Sequence, residues 1–600
     1  MPLRLVSIAR SNWAMFTALE RRNIAIYILG IMLYKFGIEA FNGSIVALAT
    51  NRYDYDALQT QSTPKTFERV GLLTGLNQAF QCVGSILIAP LVRRAPSRLV
   101  LAVAVFVFGL FTAILLIVDA STGGTIVPEE FREKHPPNDF HYYGKYNTDG
   151  MIPIYSITGI VYGMVELIRR VIPRDIVGGN VQKLRRMDAM VHVFYEIAGT
   201  SGAFFTALVL IPQLGNNYSF IITPICFATA GLVWFLIADT HNHVYPEQHQ
   251  PTPLSDSPPY IRAVLSSFYL FAESLRTGAR LLFTNRKFIW LIPGYSLAFY
   301  GHRYLENGIA PAIARRYLGQ AAWSQVIVGG SNLGELLGAA FVFLFTNLVS
   351  TPIPWIRLDA LMLLVVWYLP FWYPPPNDVR YAWVVAATFL PISFGWAAGD
   401  VSLAAYIQAT LARVEPRTKN VSALGAVMAS LYTIYIVIYA ITSPLLGRYI
   451  DGVFIETGGI SQTQSNSSAA TDADGAAGVI HESILFVGGV QYSILALVIF
   501  ASTFVPVGSW AWNPRLLFTQ NLDADVEVRE IGEGKEEWGS EVIKRRRTME
   551  REMAARLGRE GRDMGNRTEV TSGLDQYSNG TGTWTEESQR QSEGTVRVSW

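Results

Sequence analysis

Residues 98–119 read Arg98-Leu-Val-Leu-Ala-Val-Ala-Val-Phe-Val-Phe-Gly-Leu-Phe-Thr-Ala-Ile-Leu-Leu-Ile-Val-Asp119. Between the two charged ends stand about 20 residues without a charge, which at 1.5 Å each make a helix of about 30 Å, the thickness of a bilayer's hydrocarbon. A surface helix of a soluble domain would break this run with a polar face, and lipid permits only structures that satisfy their own backbone groups. Comparable runs recur along the chain. They predict a dozen helices, at about 24–49, 70–92, 98–119, 151–171, 188–211, 219–238, 288–311, 323–347, 355–372, 381–411, 421–446 and 483–508.

The composition of the 600 residues agrees: 50% are hydrophobic and only 16% are Asp, Glu, Lys or Arg, well short of a water-facing norm of about 25%. Mean hydropathy is +0.26. A soluble enzyme, a disordered chain and a fibrous one are excluded on these grounds. The net charge of +1 gives no nucleic-acid footprint. Cys82 and Cys226 sit in apolar runs, and no Cys/His spacing suits a metal, so the expectation is no disulfide framework, no cofactor and no metal. Gly-x-Ser-x-Gly, His-Glu-x-x-His and Walker sequences are missing from fitting contexts, so an enzyme is not expected.

Lys and Arg resist translocation. Placing the N-terminus in the cytosol puts about 22 of them inside against about 11 outside, with both termini inside. The expected organisation is a cytoplasmic N-terminus (1–23), a first six-helix bundle (24–238), a cytoplasmic linker (239–287), a second six-helix bundle (288–508) and a charged, largely disordered cytoplasmic tail (509–600). Within the linker, Tyr260 to Leu282 reads as an amphipathic helix. Asn217-Tyr-Ser and Asn466-Ser-Ser fall on the outer side, making Asn217 and Asn466 glycosylation candidates.

Three motifs point further. The second and third helices are joined by Ala89-Pro90-Leu91-Val92-Arg93-Arg94-Ala95-Pro96-Ser97-Arg98, the fifth contains Glu196-Ile-Ala-Gly199-Thr-Ser-Gly202-Ala, and the eleventh ends Ser443-Pro444-Leu-Leu-Gly447-Arg-Tyr-Ile-Asp451. With the two sets of six helices, these resemble degenerate motifs of the major facilitator superfamily, the second being similar to the helix 5 signature of its drug and macrolide exporters. Arg93 stands where that family carries Asp, and Pro96 where it carries Gly. The resemblance spans about residues 20 to 510 and implies an all-α membrane protein of twelve transmembrane helices in two six-helix bundles. It further implies a secondary active transporter that alternates access to a central cavity and moves a small organic molecule, with protons as the coupling partner and export as the first direction to test. The alternative is a transporter-like receptor or nutrient sensor that signals through its tail.

Charges at bilayer depth cost about 2.5 to 3.5 kcal/mol each on insertion scales, so each one there is a functional candidate. The substrate- or proton-coupling candidates are Lys35, Glu39, Glu196, His302, Arg303, Glu335 and Asp400. Glu166, Arg169 and Arg170 read instead as an ion-paired or snorkelling group. Pro293-Gly294 and Pro391 are expected to break their helices, and Gln78, Tyr295, Tyr300, Trp396 and Tyr435 are cavity-wall candidates. Gly199 and Gly202, with Gly329, Gly330, Gly334 and Gly338, suggest a smooth contact between the two halves. The expected partners are the lipid bilayer, the small-molecule substrate and protons, with a monomer as default and no nucleic acid. Of the membranes open to a multi-pass protein, the plasma membrane is the first reading and an internal organelle membrane the second.

Overall fold

The computed structural model describes residues 13–517, apart from 14, 93, 127–141, 170–171, 178–180, 239–258, 346–348, 350, 412–422, 458–479 and 515–516. Asn466, Arg93, Arg170 and the tail from residue 518 onward therefore lie outside the described residues. Every described element is helical or a turn. The helices are α1 (Ala18–Thr60), α2 (Thr66–Val92), α3 (Ser97–Ser121), α4 (Met151–Arg169), α5 (Val181–Phe205) and α6 (Ile222–Phe235), then α7 (Tyr260–Thr284), then α8 (286–317), α9 (Ser324–Phe345), α10 (Ile353–Met362), α11 (Val379–Leu411), α12 (Ala423–Glu456) and α13 (Gln491–Ser502).

Ten helical stretches among the described residues are long and apolar enough to cross a bilayer. Two details separate this from the expected dozen. The runs 188–211 and 219–238 join as Arg186–Phe235, 50 residues, although Gly215 breaks the rod with φ 78°. The segment 286–317 is divided into short α and π turns and carries Arg303, Glu306, Arg315 and Arg316. Pro293 and Gly294 lie in the first of its π turns, where a prolyl nitrogen cannot donate to the helical ladder. The corresponding break at Pro391 does not form: α11 runs through it without interruption, because neighbouring helices can re-satisfy the backbone groups that a proline frees.

Local signals start and tie the elements. Thr17 caps α1, accepting from the Glu20 backbone N–H at 3.2 Å while Glu20 Oε2 accepts from the Thr17 N–H at 2.7 Å. In the first half, α6 leans on α1 through Thr223, whose hydroxyl donates to Gly37 O at 2.8 Å, and α2 meets α4 through Asn77, whose amide donates to Tyr155 O at 2.7 Å. One large apolar core running from Phe16 to Ile237 unites these helices. In the second half, Ser296 on α8 donates to Leu431 O on α12, and Tyr492 on α13 donates to Gly301 O, both at 2.7 Å.

The glycine row of α9 acts inside its own half. A Cβ at Gly330, Gly334 or Gly338 would lie 2.3–2.4 Å from the carbonyl oxygens of Ala386, Leu390 and Phe394 on α11, so both backbones meet on i, i+4 rows. This corrects the expectation of a glycine-lined contact between halves. Only Gly329 of that row faces the first half, against the Phe204 ring of α5. A second correction concerns Asn217. It is fully buried, and its amide donates to Asp119 Oδ2 at 2.9 Å and Thr125 O at 3.1 Å, which leaves no free nitrogen for a glycan.

Candidate functional site

A chain of ionisable side chains crosses the boundary between the halves. On α1, Lys35 Nζ donates to Glu39 Oε1, both residues 9% exposed, and the ammonium lies 4.6 Å from the Tyr195 ring. On α5, Glu196 is 3% exposed and its Oε2 has no hydrogen-bond partner. Gly199, one turn on, leaves room for Lys35. On α8, Arg303 Nη1 donates to Glu306 Oε2 at 2.7 Å, and the other Glu306 oxygen accepts from Ser331 of α9 at 2.7 Å. Ser331 in turn meets Ser393 of α11 at 2.7 Å. Glu335, one turn beyond Ser331 on α9, lies in the electrostatic field of Glu196, Glu306, Arg303 and Lys35.

His302 is 1% exposed, with Nε2 3.5 Å from Ile392 O and Nδ1 without a partner. A ring nitrogen of His302 and one carboxylate oxygen each from Glu306 and Glu335 all fall within 4.8 Å of one another. Lys35, Glu39, Glu196, His302, Arg303 and Glu335 are thus brought together by four helices. Asp400 is not at this level: it is half-buried eight residues past Ile392, about 12 Å further along α11. Glu166 pairs with Arg169 through a 2.6 Å bond and accepts from Tyr34, as expected of a structural group.

Most side chains of α8 near Arg303 are sealed, with Tyr300, His302 and Tyr304 at 3%, 1% and 1% exposure, yet 36% of the Arg303 side chain is accessible. An accessible guanidinium on an otherwise sealed stretch of helix marks a recess beside Arg303. Of the expected wall residues, Gln78 is half-buried, while Tyr295, Tyr300, Trp396 and Tyr435 are buried. Three of these rings pack with Phe299, which stacks on Trp396 at 5.1 Å and meets Tyr435 at 4.1 Å, whereas Tyr300 turns to Gln491 of α13. Packed in this way, they fill one another's space.

One end of the boundary is bolted. Asp54, at the end of α1, accepts from Arg315 Nε at 2.7 Å and from both Arg316 terminal nitrogens at 2.8 and 2.9 Å, and also from Thr66. All three charged side chains are at most 10% exposed. Asp451 of α12 caps the start of α2, accepting from the Phe67 and Glu68 N–H groups at 3.2 and 2.9 Å. Beside it Arg52 donates to Gly144 O, Tyr146 O and Thr148 and stacks on Tyr146 at 3.8 Å, which fastens the loop after α3. Burial pushes the Tyr143 and Tyr146 phenols up, so both stay neutral beneath the guanidinium.

No family model matches this sequence, and no curated protein does. Among solved structures, the chain is similar to the xylose transporter XylE from E. coli in a partially occluded inward open conformation (11% identity, 81% of this chain and 98% of that one, TM-score 0.49). It is similar also to the nucleoside transporter NupG, solved as a mutant (13%, 81% and 99%, TM-score 0.46), and to a peptide transporter POT in complex with sulfate (12%, 80% and 94%, TM-score 0.48). At such identities and fits, no activity is carried over from them.

Sequence reasoning missed the serines and the bolt. Ser331 and Asn332 precede Glu335 by four and three residues, so helical spacing alone places them with it. Arg315-Arg316 ends its helix on the side where Lys and Arg are rare, a departure from the charge rule that signals an ion pair. Asp359 is 2% exposed on α10 with Oδ1 unpartnered, and nothing in its sequence context singled it out.

Proposed function

We propose that this protein is a secondary active transporter that alternates access to the recess at Arg303 and couples transport of a small solute to protons. One observation carries the reading: buried carboxylates that outnumber the buried bases lie on the boundary between two helical halves, next to an accessible guanidinium. Carboxylates in such a place must be protonated or paired, and the pairing changes when the halves move. The Asp54 end is closed by ion pairs that join α1 to α8 and by a helix cap that joins α12 to α2, so the recess communicates with the opposite end. With the N-terminus in the cytosol this is an inward-facing state. Rocking of one half on the other would open the bolt and close the recess, carrying solute and proton across.

The test is reconstitution into liposomes holding the pH dye pyranine, with solutes offered one at a time under a proton gradient. The expected outcome is solute-dependent proton movement that Glu196→Gln and Glu335→Gln abolish while the protein remains monodisperse. Solute-dependent proton movement at the wild-type rate in both variants would remove the carboxylates from the mechanism.

A further inference from the structure

His302, Glu306 and Glu335 offer more than a proton store. Their three donor atoms, one imidazole nitrogen and two carboxylate oxygens, already lie within 4.8 Å of one another. One observation independent of the acidic character points to a ligand: His302 Nδ1 is buried and unpaired. A buried polar atom normally finds a partner, so an orphaned ring nitrogen on one of the three residues marks a site whose partner arrives from outside. Glu335 makes no hydrogen bond among the described residues.

The charge count sets the valence. The groups facing this centre are Lys35 and Glu39 from α1, Glu196 from α5, Arg303 and Glu306 from α8, and Glu335 from α9. Four carboxylates against two bases leave two negative charges in surroundings that do not solvate them. Two protons neutralise that excess, and so does a single divalent cation. A mixed imidazole and carboxylate donor set suits a first-row transition metal, whereas Mg²⁺ and Ca²⁺ favour oxygen alone.

We infer that His302, Glu306 and Glu335 bind one divalent transition-metal ion in place of two protons, and that this ion is a cargo of the protein. The inference rests on the transporter reading and names the class of solute at the same site. Glu39 and Glu306 already stand as carboxylates against Lys35 and Arg303, so when the ion binds it is the O–H bonds of Glu196 and Glu335 that break; the two protons leave through the recess at Arg303, and the Glu306 and Glu335 carboxylates with the neutral imidazole coordinate the metal. No electron moves, and the charge of the site is unchanged. Ser331 keeps its bond to Glu306 and orients that carboxylate, as outer-sphere partners of metal ligands do. Arg303 holds Glu306 when no metal is present; its accessible side chain can turn into the recess when the ion displaces it.

The experiment uses the full-length protein in detergent, where no flux is needed. Co²⁺ is titrated in weak buffer, read by its visible absorption and by a pH indicator. The expected result is a one-to-one complex with a nitrogen-and-oxygen spectrum, proton release approaching two per ion at acidic pH, and no competition from equimolar Mg²⁺. His302→Gln and Glu335→Gln are expected to weaken binding about tenfold or more. Arg303→Gln tightens it, an opposite sign that loss of structure would not produce. Should Glu335→Gln fail to fold, Glu335→Asp is expected to shift the absorption band instead. The inference is overturned by no one-to-one complex in the wild type, or by wild-type affinity in both His302→Gln and Glu335→Gln. Proton-coupled flux of other solutes without metal binding sinks this inference and leaves the transporter reading standing; metal binding without flux of any solute keeps the metal site but overturns its role as cargo together with the transporter reading.

Discussion

Asp54→Asn is the most informative single change. The substitution keeps the shape of the side chain and removes the charge that Arg315 and Arg316 share, on a patch at most 10% exposed. Removing one partner of a buried ion pair costs about 3–5 kcal/mol, because the remaining cation is left uncompensated. That penalty falls on the bolted state alone, since both guanidinium groups regain water when the halves part. Taking the lower end, about 3 kcal/mol shifts the equilibrium roughly 150-fold toward the open state, so an open population of about 1% becomes a majority. Spin labels at Gln59 and Asn377, both exposed near that end, read the separation of the halves by electron–electron resonance in a background without Cys82 and Cys226. A longer distance component is expected to become dominant. If Asp54→Asn leaves the distance distribution as in the wild type while the protein remains folded, the ion pairs do not hold the halves, and the alternating-access reading loses its closing element.

Other outcomes follow from single contacts. Gly334→Val puts a side chain where a Cβ would already lie 2.3 Å from Leu390 O; overpacking of this kind costs about 1–3 kcal/mol or more, and a clear fall in thermal stability is expected. Arg357 is 1% exposed and donates to Thr503 at 3.0 Å and to the Ser509, Ala511 and Trp512 carbonyls. Arg357→Met should free residues 509–512, read as faster amide hydrogen exchange confined to that stretch. Asn217→Gln should leave electrophoretic mobility unchanged with and without a glycosidase while lowering the melting temperature, because it removes bonds to Asp119 and Thr125. Lys35→Met strips Glu39 of its partner and should lower solute-dependent proton movement well below the wild-type rate in the liposome assay.

The run from Arg98 to Asp119 was enough to require a membrane, because unsatisfied backbone in hydrocarbon leaves a helix as the natural form for such a segment. Hydropathy likewise drew most of the other spans and a linker helix at Tyr260 to Leu282, found at Tyr260–Thr284, and the rarity of intramembrane charge selected Lys35, Glu39, Glu196, His302, Arg303, Glu335 and Asp400. These are one-dimensional facts, carried by each residue's cost of leaving water. Which of them meet depends on helix rotation and crossing, set by packing between segments far apart in sequence. For that reason only the tertiary structure turned the glycines of α9 toward α11, closed Asp54 on Arg316 from the far half of the chain, buried Asn217, and brought His302 and Glu306 against Glu335 with Asp400 a different distance along its helix.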